Sequence, residues 1–343
     1  MSSGNSRYPL KVAVSGIPRG YQFPRPDGNW LSEHHRRQIL AVSPRIQLME
    51  IPAHEVTGGA DIEVLLAEGG NRVHYPGELD RKDYEAFFSD SLKWVQLCST
   101  GFHDNITDAV AGGRVVLTNA PGLHTVPIAE SVLAAMLGHA KNLQARKIDQ
   151  RAHTWRRLDN DELNGRIVLI VGLGRIGQAV ARLCRAFNMR VIGTRRRPEP
   201  VADVDVVFPA EALAEHLPAA DYIVIAAPHT PLTENLLDAG AFAAMKTSAY
   251  LVNVGRGQVI DEAALVAALE EHRIAGAYLD AFNQEPLDEG HAFWDMEEVL
   301  VVPHDSHSSP CIGDRMVDIF CSNLRRYVAG APLMNICDVE KGY

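Results

Sequence analysis

Gly172, Gly174 and Gly177 carry the most specific chemical signal in this chain, a Gly-x-Gly-x-x-Gly spacing. They follow the apolar run Ile167-Val168-Leu169-Ile170-Val171 and open a helical pattern through Ile176, Val180, Leu183 and Phe187. That is the strand, turn and helix order a dinucleotide-binding fingerprint requires. Gly172 permits the tight turn, Gly174 lets backbone approach a pyrophosphate, and Gly177 allows the helix to pack closely on the strand. Arg175 and Ile176 then begin a helix whose free N–H groups face the phosphates. A glycine-rich turn without a ligand is the plain alternative.

The nucleotide's identity is read further along the chain. About 20 residues after the glycines, an NAD-binding unit places a carboxylate on the ribose 2′-hydroxyl. Here the sequence is Thr194-Arg195-Arg196-Arg197, with no carboxylate. Guanidinium groups make charge-assisted hydrogen bonds to a 2′-phosphate, and Thr194 adds a hydroxyl. The expected cofactor is therefore NADP(H) in preference to NAD(H), with Arg195 and Arg196 as contacts and a solvated basic turn as the alternative.

Three later stretches hold the remaining reactive types: Asn253-Val254-Gly255-Arg256-Gly257, Asp280-Ala281-Phe282-Asn283-Gln284-Glu285-Pro286-Leu287, and Val302-Pro303-His304. Each follows a strand pattern, so the three are expected to converge at the carboxyl ends of the strands, beside the nucleotide. An imidazole, a carboxylate and a guanidinium gathered there suit hydride-transfer chemistry.

Two folding units are needed to position these groups. The residues before Arg166 are too many for a tail and fit one further domain, with a cleft between the two. Strand patterns at residues 11–15, 94–97 and 114–118, with helical stretches between, read as a small α/β domain. Residues 16–28, rich in Pro and Gly, read either as a ligand-binding loop at the edge of the first strand or as a surface loop. From Pro127 a helical pattern through Ala129, Val132, Leu133, Met136 and Leu137 leads into the nucleotide domain, with proline in the first turn. Strand patterns at 190–193, 222–226, 249–253, 276–279 and 299–302 alternate with helices and are almost continuously apolar, as in a parallel sheet covered on both faces. A helical stretch at 312–327 and an irregular tail are expected to return to the first domain.

Composition narrows the partners. With 46% hydrophobic and 22% charged residues, the 343-residue chain can bury one or two cores. A formal net charge of -10 disfavours nucleic acid and anionic membranes, while leaving room for a local basic pocket. No segment has signal-peptide or membrane-spanning character, so the expected location is cytoplasmic. Cys98, Cys184, Cys311, Cys321 and Cys337 show no paired spacing; they read as reduced thiols, and no metal is assigned.

In order and spacing, the central fingerprint and the three strand-end stretches resemble the D-isomer-specific 2-hydroxyacid dehydrogenases, including glyoxylate/hydroxypyruvate reductases. The resemblance runs from Lys11 into the 335–343 region. It implies an α/β fold in which a doubly wound Rossmann domain, residues 124–303, is inserted into a smaller flavodoxin-like α/β substrate domain built from 1–123 and 304–343. It implies reduction of a small 2-keto acid, with His304 as proton donor, Glu285 on the other imidazole nitrogen, and Arg256 binding the substrate carboxylate through a fork that lysine lacks. Backbone N–H groups around Thr100 and Gly101 would complete the carboxylate site. Asp280 would bind the nicotinamide carboxamide, and Pro228, Thr233, Thr125 and Asn253 would neighbour the cofactor. A homodimer through the helix near Pro127 is also implied; closure of the cleft is expected because the chain crosses between the domains near Gly122 and Pro303.

The chain departs from the family pattern in two places. Asp305-Ser306-His307 stands where small residues are common after the histidine, so His307 becomes a substrate-contact candidate. Gly101-Phe102-His103-Asp104 is one residue longer than the usual carboxylate loop. Two further readings compete: an NAD(P)(H)-sensing corepressor-like protein and a phosphite-type dehydrogenase. Formate dehydrogenases of this fold carry glutamine where Glu285 stands, which argues against that activity.

Overall fold

The apolar runs of the sequence form the strands of two parallel sheets in the computed structural model, which describes residues 8–15, 30–51, 61–67, 81–102 and 105–339. The Pro- and Gly-rich 16–28 loop and His103 lie outside the described residues. The chain divides into two units, residues 1–124 with 308–343, and 125–307.

In the first unit the strands are β1 (Leu10–Ser15), β2 (Ile46–Ile51), β3 (Val64–Ala67), β4 (Trp94–Leu97) and β5 (Val116–Thr118). All pair in parallel, in the order β2-β1-β3-β4-β5. This is the flavodoxin-like order. Its helices are α1 (Glu33–Leu40), α2 (Arg81–Ala86) and α3 (Asp108–Ala111), joined by the late helix described below. Because side chains alternate along a strand, Val12, Val14 and Leu66 pack with Ile39, Met316 and Phe320 on one face, while Ala13, Leu65 and Val95 pack with Tyr84 and Phe87 on the other. The tail returns to this sheet as expected: Thr118 bridges Ile336, and the Cys337 N–H donates to the Leu117 carbonyl.

The second unit holds α4 (Thr125–Ala140), α5 (Leu143–Arg151), β6 (Ile167–Val171), α6 (Arg175–Ala186), β7 (Arg190–Thr194), β8 (Val206–Phe208), α7 (Leu213–His216), β9 (Tyr222–Ile225), α8 (Ala239–Ala244), β10 (Tyr250–Asn253), α9 (Glu262–Glu270), β11 (Gly276–Leu279) and β12 (Val299–Val301). Its sheet runs β12-β11-β10-β9-β6-β7-β8, parallel throughout. Strand order reverses between β6 and β9, the switch point at which doubly wound sheets take a nucleotide. Both faces are covered: Leu169, Ile223 and Leu251 point to one core, Val168, Val224 and Val252 to the other. The remaining helix, α10 (Ile312–Val328), packs in the first unit.

Residues 304–307, assigned from sequence to the first unit, belong by their contacts to the second. The cause is local: one carboxylate oxygen of Asp280 accepts the N–H groups of both Asp305 and Ser306, at 3.0 and 3.1 Å.

Candidate active site

The turn after β6 is made by missing side chains. Gly172 sits at φ +99°, which strains any residue with a Cβ. A Cβ on Gly177 would run into the Gly172 carbonyl oxygen, so glycine is what lets α6 start against the strand. Gly174, the N-cap of α6, makes no side-chain cap bond, and a Cβ there would meet nothing within 4 Å. The helix N-terminus therefore presents N–H groups beside open backbone, a cradle that fits a pyrophosphate. Arg175 is exposed and Ile176 partly so, at the first helical positions.

Thr194 ends β7 and is buried; its hydroxyl oxygen accepts the Gly172 N–H at 3.1 Å. This bond ties the second strand to the glycine turn, so the hydroxyl's first engagement is inside the fold. Arg195 is partly exposed and anchored through its backbone N–H to the Phe208 carbonyl, while Arg196 is exposed. The two guanidinium groups thus stand at the carboxyl end of β7, the edge that reads a ribose 2′-substituent.

The loops after β10, β11 and β12 bring the imidazole and carboxylate together. His304 Nδ1 lies 2.7 Å from Glu285 Oε2, and Glu285 Oε1 accepts the Phe282 N–H at 3.1 Å. Burial pushes the Glu285 carboxyl up, but the hydrogen bond and charge of His304, the Phe282 N–H and the charge of Arg256 outweigh it and hold the group below its ordinary value. A carboxylate kept ionised accepts from Nδ1–H, which leaves Nε2 as the nitrogen that can hold or release a working proton. His304 itself has φ +51°, a left-handed conformation costing a non-glycine residue about 1 kcal/mol. The His307 ring stands edge-on to it, 6.2 Å between centroids.

Asn253, expected as a cofactor neighbour, is fully buried and hydrogen-bonded within the fold. Its side-chain amide donates to the carbonyls of Arg256 and Ala281, at 3.3 and 3.4 Å, and its oxygen accepts the Gly255 N–H at 3.0 Å. It acts on the site by holding the Arg256 loop against the next one. Arg256 is exposed, and its Nη1 donates to the adjacent Gly255 carbonyl at 2.8 Å. The Thr233 hydroxyl donates to the Pro228 carbonyl at 2.7 Å and accepts the Thr230 N–H at 2.8 Å, which closes the loop after β9. Thr125 is the first residue of α4.

Asp280 is buried, and burial lifts its carboxyl above the ordinary value against the pull of the Ser306 and Asp305 N–H groups and of His304. Thr100 and Gly101 lie in the first unit, beyond β4, where the Asn119 amide fastens the Thr100 carbonyl at 2.6 Å and the Ser99 hydroxyl donates to the Gly101 carbonyl. Sequence reading missed the support of the histidine loop by Tyr278, Ser131 and the side chain of Ser306. The only signal for it was the unusual Asp-Ser-His following His304. Among the described residues no group of His, Cys, Asp and Glu is arranged to hold a metal ion, and no helix is long and apolar enough to cross a membrane.

Residues 133–306 match the family described as D-isomer specific 2-hydroxyacid dehydrogenase, NAD binding domain. The chain is 32% identical over 262 residues to a glyoxylate reductase of Pyrococcus furiosus, covering 73% of this chain and 77% of that protein. It is 33% identical over 253 residues to a D-3-phosphoglycerate dehydrogenase of Mycobacterium bovis, covering 73% of this chain but only 48% of the longer protein. Among solved structures it resembles an NADPH-dependent glyoxylate/hydroxypyruvate reductase from Sinorhizobium meliloti in complex with NADP and sulfate. The TM-score is 0.73 at 25% identity, covering 97% of this chain and 100% of that one.

Proposed function

The chain belongs to the D-isomer-specific 2-hydroxyacid dehydrogenases, a family of NAD(P)-dependent oxidoreductases, and on that premise we propose that it reduces a small 2-keto acid to the D-2-hydroxy acid with NADPH. The observation that carries the reading is the 2.7 Å bond between His304 Nδ1 and Glu285, on loops at the same strand ends as the dinucleotide turn. Gly172, Gly174, Arg175, Ile176 and Gly177 hold the pyrophosphate. Arg195 and Arg196 take the 2′-phosphate, which supports NADP(H) over NAD(H). Asp280, whose Oδ1 accepts the Asp305 and Ser306 N–H groups, takes the nicotinamide carboxamide.

When bound, the reduced nicotinamide supplies the hydride that adds to carbon 2 of the keto acid. Arg256 grips the carboxylate and draws charge toward the keto oxygen. His304 delivers the proton from Nε2 to the developing alkoxide, and Glu285 stabilises the imidazolium before transfer. His307 borders the substrate. In the oxidative direction the same imidazole, neutral, takes the hydroxyl proton.

Glyoxylate and hydroxypyruvate are the first substrates to test, as the named substrates of the similar structure. Following cofactor absorbance with NADPH and NADH separately across glyoxylate, hydroxypyruvate, pyruvate, phenylpyruvate and branched 2-keto acids is the direct assay. Fast oxidation of NADPH, with kcat/KM above that for NADH, is expected. Equal or better efficiency with NADH would refute the cofactor assignment. No turnover despite demonstrated binding would move the reading to a cofactor-sensing protein.

The protein works in the cytosol and as a homodimer in this proposal. An apolar surface on the second unit supports the dimer: Leu143, Ile148, Trp294 and Leu300 are exposed along one groove. A monomer in sedimentation at working concentration would refute it.

A further inference from the structure

Ser306 is two residues beyond His304 and only 5% exposed, yet every polar group it carries is engaged. Its N–H donates to Asp280 Oδ1, its hydroxyl shares a 2.7 Å hydrogen bond with the Tyr278 hydroxyl, and its carbonyl accepts from the Ser131 hydroxyl at 3.4 Å. The arrangement follows from strand periodicity. Side chains two apart along an extended strand project to one side, so Tyr278 near the end of β11 and Asp280 just beyond it reach the same segment. α4, packed on that face of the sheet, brings Ser131. A buried serine hydroxyl is costly without a partner, and here Tyr278, itself buried, supplies one.

This segment bears the left-handed residue of the site. His304 at φ +51° is fixed ahead by its own N–H on the Val302 carbonyl at 2.9 Å and behind by the Asp305 and Ser306 N–H groups on Asp280. A strained backbone persists only where its surroundings over-determine it. We propose that the Tyr278–Ser306 hydroxyl pair, with Ser131, is a latch that positions His304, holding its imidazole toward Glu285. Tyr278 and Ser306 are thus positioning residues: they reach the reaction only through the backbone of His304.

The inference rests on the role proposed for His304, and the test separates the two. In the full-length protein, Tyr278→Phe, Ser306→Ala and the double variant are compared for kcat, for KM of NADPH and keto acid, and for the imidazole proton resonance of His304, assigned by its loss in His304→Gln. Each single variant should lower kcat about 10-fold, as loss of a buried hydrogen bond does, with the KM for NADPH unchanged. The double variant should fall well short of the product of the two single losses, because both substitutions break the Tyr278–Ser306 bond. The pH titration of the His304 resonance should move in all three.

A double variant that multiplies the single losses to about 100-fold, or singles that lower the melting temperature while leaving both kcat and the His304 titration at parental values, would overturn the latch. If His304→Gln keeps full turnover, or the parent reduces no keto acid, the proposed function fails. The resonance then still decides the latch: movement in the variants supports it and parental behaviour rejects it.

Discussion

At the phosphate turn the backbone closes because side chains are missing, whereas at the histidine loop it is held because side chains are present. Gly172 takes a left-handed φ of +99° at no steric cost, and Gly177 lets α6 begin against the Gly172 carbonyl. His304 takes a left-handed φ of +51° without that freedom, and its loop is hydrogen-bonded to the Asp280 and Glu285 carboxylates and the Tyr278 hydroxyl. A site for a large, invariant phosphate group needs only backbone and space. A site that moves a proton needs one nitrogen aimed to within a few tenths of an ångström, which backbone alone does not achieve. Changes at the first should therefore act on folding and cofactor affinity, and changes at the second on turnover.

The largest effect expected from this contrast is at His304. His304→Gln should reduce kcat about 1,000-fold, in the range of a lost general acid, while the dissociation constant for NADPH, read by fluorescence titration, stays within about two-fold. Comparable losses in both would erase the distinction between the two regions. Next is Gly177→Ala, where the new Cβ meets backbone that cannot step aside. Overpacking of this kind costs about 3 kcal/mol, to be read as a lower urea midpoint of the nucleotide-binding unit. A parental midpoint would show that the strand-to-helix approach tolerates a methyl.

A smaller effect, and one with a definite sign, is expected at Glu285. Its carboxyl is held below the ordinary value, so the stability it contributes is present at neutral pH and is lost as pH falls through and below the usual carboxylate range. Glu285→Gln should be less stable than the parent at pH 7, and the gap should close on acidification. A gap that widens toward acid would mean that the carboxyl is not stabilised as an anion by His304 and Arg256.

The same contrast explains what could be read in advance. Glycine spacing is local, and so is the apolar run before it, so the Gly172–Gly177 turn, β6 and α6 were legible in the sequence. The strand-end residues Arg256, Glu285 and His304 were legible as a set because three strand patterns precede them. β2, β3 and β8 were not. Val64–Ala67 is four buried residues, too short for periodicity to separate strand from helix, and its identity comes from pairing with β1 and β4. The supports of the histidine loop were hidden for a related reason. Ser131, Tyr278 and Ser306 are far apart in sequence, each is an ordinary residue alone, and only the sheet and α4 bring their hydroxyl groups together. Asn253 was read as a cofactor neighbour from the family resemblance, and its further part as a brace between two loops shows only in the fold.

The smallest effect on stability is expected at Gly174, and it makes the cleanest division between folding and binding. Its backbone, at φ −78° and ψ −161°, is open to any residue, and a Cβ would meet nothing within 4 Å. Replacing glycine by alanine at such a position stabilises by about 0.4–1 kcal/mol through the unfolded chain, while alanine is a poorer helix N-cap than glycine by a similar amount. The two terms offset, so Gly174→Ala should leave the urea midpoint where it is, in contrast to Gly177→Ala three residues on. The added methyl nonetheless occupies the space from which backbone meets a pyrophosphate, and affinity for NADPH should fall about 10-fold, some 1.4 kcal/mol. Unchanged affinity would mean that the phosphates do not approach Gly174, and the open cradle at the start of α6 would lose its assigned ligand even with the fold intact.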